Sequence, residues 1–392
     1  MLSNRQLFLQ NLAQTTNFPL QLEIEKAEGI YMYAPDGKSY IDLISGIGVS
    51  NVGHRHPRVV KAVKQQVDQY MHLMVYGELV QSPQVQLAKA ITATLPDPLD
   101  QVYLVNSGSE AIEGAMKLAK RYTGRPEIIS CYNAYHGSTS GALSAGGSET
   151  FKQNYRPLIP GHRNITFNKV EDLEQITTQT AAFLIETIQG EAGVRVPDAS
   201  YIKAVRQRCT ETGTLLIMDE IQSGFGRTGK FWGFEHFGIV PDIITSAKGM
   251  GGGMPIGCFI SSKEIMSAFT ENPILGHITT FGGHPVSAAA SLATIRVIQE
   301  EKLTDGIPEK EALFRKLLVH PKIKSFRSKG LMMAAEFDSF ETLKAIIDRA
   351  IEGGVLTDWF LFCDNSMRIA PPLTITEDEI RKACQLILQA ID

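Results

Sequence analysis

Lys248 closes a short apolar stretch, Pro241-Asp-Ile-Ile-Thr-Ser-Ala-Lys248, and opens a glycine run, Gly249-Met-Gly-Gly-Gly253. A second apolar stretch, Leu215-Leu-Ile-Met218, ends in Asp219-Glu220-Ile221-Gln222. Both read as short buried strands. Strand ends on one edge of an α/β sheet share a crevice, so an amine and a carboxylate would face each other there. Such an amine can hold an aldehyde cofactor as a Schiff base. The carboxylate can keep a pyridine nitrogen protonated, so that the ring accepts electrons. Pyridoxal 5'-phosphate needs that pairing. Taken singly, each residue is weak evidence, because most lysines are solvated and acids at strand ends are common.

A third element fits the same chemistry. Asn106-Ser107-Gly108-Ser109-Glu110 lies between a strand and a helix. Free N–H groups and the positive end of the helix dipole make such a turn an anion site. By itself it reads as readily as a plain helix cap. The glycine run after Lys248 is not a dinucleotide fingerprint, since the third glycine would fall at Met254.

These residues need a scaffold. From about residue 100 the chain alternates strand and helix. Val102–Val105, Ile128–Cys131, Phe183–Ile185, Leu215–Met218, Ile243–Thr245 and Ile256–Ile260 read as strands, and Glu110–Arg121 and Tyr201–Thr212 as helices. The alternation predicts an α/β fold with a mostly parallel central sheet covered by helices. Upstream, Ile30–Tyr33 and Tyr40–Leu43 flank a Pro-Asp-Gly turn. Val59, Val60, Val63, Val67, Tyr70, Met71 and Met74 recur at helical spacing, and Ser82-Pro83 reads as an N-cap followed by proline at the first helical position. A long helix over Val286–Glu301 leads into a region of different character, ending in an amphipathic helix over Glu377–Ile391. The expected division is an N-terminal segment, 1–50, joining a small domain at 296–392, with a large domain at 51–295 between them.

The 392 residues are 43% apolar, and 38 basic against 42 acidic side chains give a net charge of −4. That balance is too mild to point to nucleic acid or an anionic membrane. Five scattered cysteines form neither a disulfide pattern nor a metal cluster, so no metal is expected and a cytoplasmic setting fits. No apolar run approaches the ~18 residues of a membrane span, and the first residues lack a signal-peptide core.

The motifs Asn106-Ser-Gly-Ser-Glu-Ala111, Asn133-Ala-Tyr-His-Gly137, Glu186-Thr-Ile-Gln-Gly-Glu-Ala-Gly193, Asp219-Glu-Ile-Gln-Ser-Gly-Phe-Gly-Arg-Thr-Gly229, Ser246-Ala-Lys-Gly-Met-Gly-Gly-Gly253 and Thr279-Thr-Phe-Gly-Gly-His-Pro285 follow one another. In kind and order they resemble those of the class III aminotransferases, a family that includes ornithine, acetylornithine and 4-aminobutyrate aminotransferases. The resemblance runs from about Gly29 to the C-terminus. It implies the fold type I pyridoxal-phosphate transferase architecture, with a large domain carrying a seven-stranded sheet and a smaller α/β domain. It implies ping-pong transfer of an amino group from an amine donor to a 2-oxo acid. The donor is expected to be an ω-amino acid or an N-acylated diamino acid.

The resemblance also assigns roles. Lys248 would tether the cofactor and shuttle the proton. Asp219 would pair with the pyridinium nitrogen, and Gln222 with the phenolic oxygen. Tyr135 would stack on the ring with His136 beside it, and Glu186 would belong to the cofactor shell. Ser107, Gly108 and Ser109 would cradle the phosphate. Thr280, with Thr279, would reach the site of a neighbouring subunit, implying a homodimer with active sites at its interface. Arg368 would grip a substrate carboxylate, and Glu191 would pair with it when an ω-amine occupies the site.

The chain departs from the family in four places. Ser138 replaces an arginine that many ornithine- and acetylornithine-type members carry after the His-Gly pair, so a second carboxylate anchor is missing. Ile47 and Asn17 stand where ornithine aminotransferases have tyrosines, which disfavours free ornithine; Ile47 is grouped with the substrate-binding residues. Thr187 replaces a usual proline. Two other readings compete. A pyridoxal-phosphate aminomutase or decarboxylase would share the scaffold, but only a transaminase consumes added 2-oxo acid stoichiometrically. A non-enzymatic binding protein would have had no reason to keep Asp219, Gln222, Lys248 and Arg368 together.

Overall fold

The computed structural model describes residues 2–392. Its strands are β1 (Lys26–Glu28), β2 (Tyr31–Tyr33), β3 (Ser39–Asp42), β4 (Gln101–Val105), β5 (Glu127–Cys131), β6 (His162–Ile165), β7 (Thr180–Glu186), β8 (Leu215–Asp219), β9 (Ile243–Ser246), β10 (Gly257–Ser261), β11 (Ser325–Lys329), β12 (Met332–Glu336), β13 (Val355–Leu356), β14 (Trp359–Phe360) and β15 (Cys363–Ile369).

Seven strands form the central sheet in the order β4-β10-β9-β8-β7-β5-β6. The pairs from β9 through β6 are parallel, whereas β10 runs antiparallel to both β9 and β4. Side chains alternate between two cores, as the two-residue strand period requires. Ile129, Phe183, Leu216 and Met218 enter the core beneath the Pro285–Glu300 helix. Ile128, Leu184, Leu215 and Ile217 enter the core under the Gly108–Thr123 helix. Strand β7 is buried along its whole length, as expected for a parallel strand covered on both faces.

Two smaller sheets complete the fold. In one, β1-β2-β3 form an antiparallel meander to which β13 adds in parallel, Val355 opposite Ile41. The other, β11-β12-β15-β14, is antiparallel. A shared core joins Ile30, Tyr40 and Leu43 to Phe314, Met333, Ile347 and Ile387. The buried Arg227 guanidinium donates to the Leu331 carbonyl at 3.1 Å, to the Pro371 carbonyl and to Asn51 Oδ1 at 2.5 Å. One side chain thus ties the loop after β8 to the residues that follow β15.

Two expectations differ from what is found. The apolar repeat from Val59 continues to Met74, but the helix stops at Gln69, where Tyr70 turns to extended backbone with φ −168°. Met71 and Met74 lie beyond it, exposed. The Ser82–Thr92 helix is capped by Gln81, with Pro83 in its first turn.

Candidate active site

A cavity of about 430 Å³ opens at the carboxyl ends of β7, β8 and β9, a usual size for a small-molecule site. Ser107, Gly108, Ser109, Tyr135, His136, Glu186, Asp219, Gln222 and Lys248 all line it.

Asp219 ends β8, and Ser246 ends β9 two residues before Lys248. Lys248 takes a left-handed φ of 46°, a strained backbone state of the kind that clusters at functional sites. Loss of water around the ammonium lowers its pKa, an effect partly opposed by the Glu191 and Asp219 carboxylates. A lysine so placed gives up its proton more readily than one in solvent.

Asp219 is fixed from two sides. His136 Nδ1 donates to its Oδ2 at 2.7 Å, and the Ile221 N–H donates to Oδ1 at 3.0 Å. The other nitrogen of His136, Nε2, is buried without a partner. Glu220, next in sequence, points away from the cavity. Its carboxylate accepts from Thr187 Oγ1 (2.6 Å), Ser223 Oγ (2.7 Å) and the N–H groups of Gly233 and Phe234. Thr187 therefore supplies a hydroxyl that proline could not, and its own N–H bonds the Asp219 carbonyl.

Glu186 accepts N–H bonds from Tyr135 and Gly190 at 3.0 and 2.9 Å. Burial is the largest influence on this carboxyl and raises its pKa to about 7, with Asp219 pushing the same way against His136. The ordinary value is 4.5. Between those two values the unfolded chain ionises while the folded one resists, so stability falls as pH rises through that window. Glu186→Gln cannot ionise. The urea midpoint of the cofactor-free variant is expected to decline less between pH 4.5 and 7 than that of the wild type; parallel declines would contradict the assignment.

At the far end of the cavity the Gly108–Thr123 helix begins. Ser107 caps it by accepting from the Glu110 N–H, and the N–H groups of Gly108 and Ser109, in the first turn, have no intrahelical acceptor. Gly257 keeps this turn open, because a Cβ there would stand 2.5 Å from the Ser107 carbonyl oxygen. These groups fit pyridoxal 5'-phosphate. Free N–H donors would suit an anion, a clamped carboxylate would suit a ring nitrogen, and an amine of lowered pKa lies on the same cavity wall.

Arg368 lies on β15 and is buried. Its two terminal nitrogens donate to the two oxygens of Glu191, each at 3.0 Å, and its Nε donates to Asp358 at 2.8 Å. The guanidinium carbon sits 4.5 Å from the Phe360 ring centroid. Gln222 Nε2 donates to Glu191 at 3.1 Å, linking this pair to the cavity. Burial works against the Glu191 carboxylate, but the Arg368 charge and hydrogen bonds outweigh it and hold the pKa at about 2.

The remaining residues lie outside the lining of this cavity. Ser138 is exposed, with its hydroxyl 3.2 Å from that of Tyr135. Ile47 belongs to a turn, Ser45–Gly48, in which all four φ values are positive; Val49, just after it, lines the cavity. Asn17 is exposed in the N-terminal segment. Thr279 accepts from Asn106 Nδ2 at 3.3 Å, and Thr280 is exposed on the surface. Asp358 was not anticipated from sequence. Its signal is register: β14 and β15 form a hairpin in which the Arg368 N–H bonds the Asp358 carbonyl, which places the two side chains together.

Residues 12–391 match the family model described as aminotransferase class-III. The acetylornithine aminotransferase of Methanocaldococcus jannaschii is 41% identical over 374 residues, covering 92% of this chain and 91% of that protein. The acetylornithine aminotransferase of Bacillus subtilis is 39% identical over 376 residues, covering 94% and 95%. An ornithine aminotransferase structure from Toxoplasma gondii, with partial occupancy of PLP at its active site, aligns with a TM-score of 0.91 at 30% identity, covering 98% of this chain and 92% of the other. With that likeness along almost its whole length, the chain belongs to the class III aminotransferases and is a transaminase that works with pyridoxal 5'-phosphate.

Proposed function

We propose that this transaminase takes its amino group from an acetylornithine-like donor, one that presents a primary amine at the end of a chain, and passes it to a 2-oxo acid. The observation that carries this is the closed Arg368–Glu191 pair beside the cavity. With the pair closed, the pocket accepts an amine-bearing carbon that has no carboxylate. With Glu191 swung away, the Arg368 fork grips the carboxylate of the oxo acid. The names of the relatives support the acyl-diamine class of donor.

The cofactor, when bound, supplies an electron sink for the carbanion that forms at the amine-bearing carbon. In this reading Lys248 tethers it, then takes the proton from that carbon and returns it. Asp219, oriented by His136, keeps the ring nitrogen protonated. Gln222 meets the phenolic oxygen, and Tyr135 covers the ring face. Glu186 fixes the Tyr135–Gly190 walls. Ser107, Gly108 and Ser109 hold the phosphate, and Ile47 and Ser138 border the substrate path.

The reading includes a cytoplasmic homodimer whose Thr280, with Thr279, completes the neighbour's site. The support is that exposed Thr280 lies between the exposed apolar residues Ile278 and Phe281, a surface suited to burial against a second copy. It also includes residues 1–50 moving with 296–392 as one small domain against 51–295, which their common core favours.

Amine donors assayed against pyruvate and 2-oxoglutarate test the reading. Stoichiometric consumption of oxo acid with an ω-amine donor is expected, with pyruvate preferred because Ser138 offers no second carboxylate anchor. Turnover without oxo acid would contradict transamination by this site. A strong preference for 2-oxoglutarate would contradict the role given to Ser138.

A further inference from the structure

The Arg368 guanidinium holds two carboxylates in different ways. Its two terminal nitrogens bind Glu191, while Nε donates to Asp358 Oδ1 at 2.8 Å. Asp358 stands opposite Arg368 in the antiparallel β14–β15 ladder, one step from the Trp359–Met367 pair. The Arg368 N–H donates to the Asp358 carbonyl at 2.9 Å, which pins the two residues together at the backbone. Cross-strand neighbours of opposite charge meet readily in this geometry. On its other side Arg368 faces Ala334 of β12, which has no side-chain acceptor.

Glu191 is held without help from Asp358. The Leu361 N–H donates to its carboxylate at 3.2 Å, Gln222 Nε2 donates to the same carboxylate at 3.1 Å, and the Phe362 N–H donates to its carbonyl at 3.0 Å. The closed pair therefore does not need Asp358. An arginine released by Glu191 is another matter, because its long side chain can turn. The Phe360 ring, 4.5 Å away, leaves such rotation open, and the Trp359 carbonyl accepts from Nη2 at a long 3.3 Å. The shorter, charge-assisted Asp358 bond acts at Nε, the one guanidinium nitrogen that Glu191 does not touch. It fixes the direction of the fork and leaves both terminal nitrogens free for a substrate carboxylate. It also keeps an anion beside a cation whose side chain is only 5% exposed, where an unpaired charge is costly.

We propose that Asp358 is a positioning residue for the acceptor half of the reaction, holding the Arg368 fork aimed at the oxo acid's carboxylate when Glu191 withdraws. This role rests on the transaminase reading above. Its effect falls on one half-reaction, because Glu191 itself orients Arg368 while the amine donor is bound.

The test uses holoenzyme, N-acetylornithine as donor, and whichever of pyruvate and 2-oxoglutarate the wild type turns over faster. In a ping-pong cycle kcat/KM for each substrate reports its own half-reaction. Asp358→Ala should lower the constant for the oxo acid about tenfold, the scale of losing one hydrogen bond to a charged group, and leave that for the donor within about twofold. Asp358→Asn keeps an oxygen in the same place and should recover most of the loss. Should the alanine protein not fold, Asp358→Ser, too short to reach Nε, should show the same selective fall. Propanoate, an unreactive carboxylate of pyruvate's length, gives a reading that needs no donor. Its binding, followed by the absorbance of the bound cofactor, should weaken about tenfold in the alanine variant. Equal falls in both constants, an unmoved acceptor constant, or an asparagine variant as impaired as the alanine one would overturn the role of Asp358. If wild-type enzyme reacts with both substrates and the variants do not separate them, only that role falls. If N-acetylornithine leaves the cofactor spectrum of the wild type unchanged, the donor reading falls, and the propanoate comparison still decides for or against Asp358.

Discussion

Lys248→Ala is expected to lose covalent attachment of the cofactor and to lower kcat by about 10⁴-fold or more, combining the loss of a nucleophile with the loss of a general base. The fold should survive. The ammonium is costly in its partly desolvated position, with its pKa lowered mainly by burial, and removing a poorly solvated charge relieves that cost. Cofactor should still associate through the N–H groups of Gly108 and Ser109 and through Asp219, which its contacts with His136 and Ile221 keep in place. The variant should therefore bind cofactor reversibly and melt near the wild-type temperature. A variant that retains turnover would show that the proton moves through another group.

The second large effect is expected at Arg368. Arg368→Ala removes the fork that would hold the oxo acid, and kcat/KM for the acceptor should fall by about 10²- to 10³-fold, the usual cost of deleting one partner of a buried charge pair. Arg368→Lys keeps the charge without the planar fork and should recover only part of the loss. The deletion also leaves the buried Glu191 and the half-buried Asp358 near one another with no cation between them, which should cost about 3 kcal/mol of stability. The pH dependence has a definite sign. Glu191 is held at about 2 against an ordinary 4.5, so it stabilises the wild type above pH 4.5 and that contribution fades as pH falls towards 2. In Arg368→Ala that acid-side loss should be absent. Urea midpoints from pH 2 to 7 for both proteins provide the comparison, and unchanged acid behaviour would place the stabilising cation elsewhere.

The parts legible in the sequence were those that repeat a strong local pattern. The buried strands β7, β8 and β9 are almost unbroken apolar runs, and their polar end residues mark the crevice. Lys248 and Asp219 could be placed in one cavity because strand ends on one edge must converge. Strand β6 was missed, since His162-Arg163-Asn164-Ile165 is an edge strand with only Ile165 fully buried, and edge strands carry little apolar signal. Tyr70, Met71 and Met74 continued a helical period that the backbone abandons at Gln69; apolar spacing cannot tell a helix from an exposed loop that carries apolar side chains. The left-handed turn at Ser45–Gly48 puts a β-branched residue, Ile47, at φ 66°, a conformation that local preference disfavours. Its support comes from far along the chain, in the Ser45 hydroxyl bond to the Ala370 carbonyl at 2.7 Å. Asp358 depends on strand register, which no local window contains.

Reduction of the purified holoenzyme with borohydride, followed by peptide mass spectrometry, tests the central claim most directly. The expected result is a pyridoxyl-phosphate adduct confined to the peptide that contains Lys248. An adduct on another lysine, or an unmodified Lys248 peptide from protein loaded with the vitamer, would contradict it.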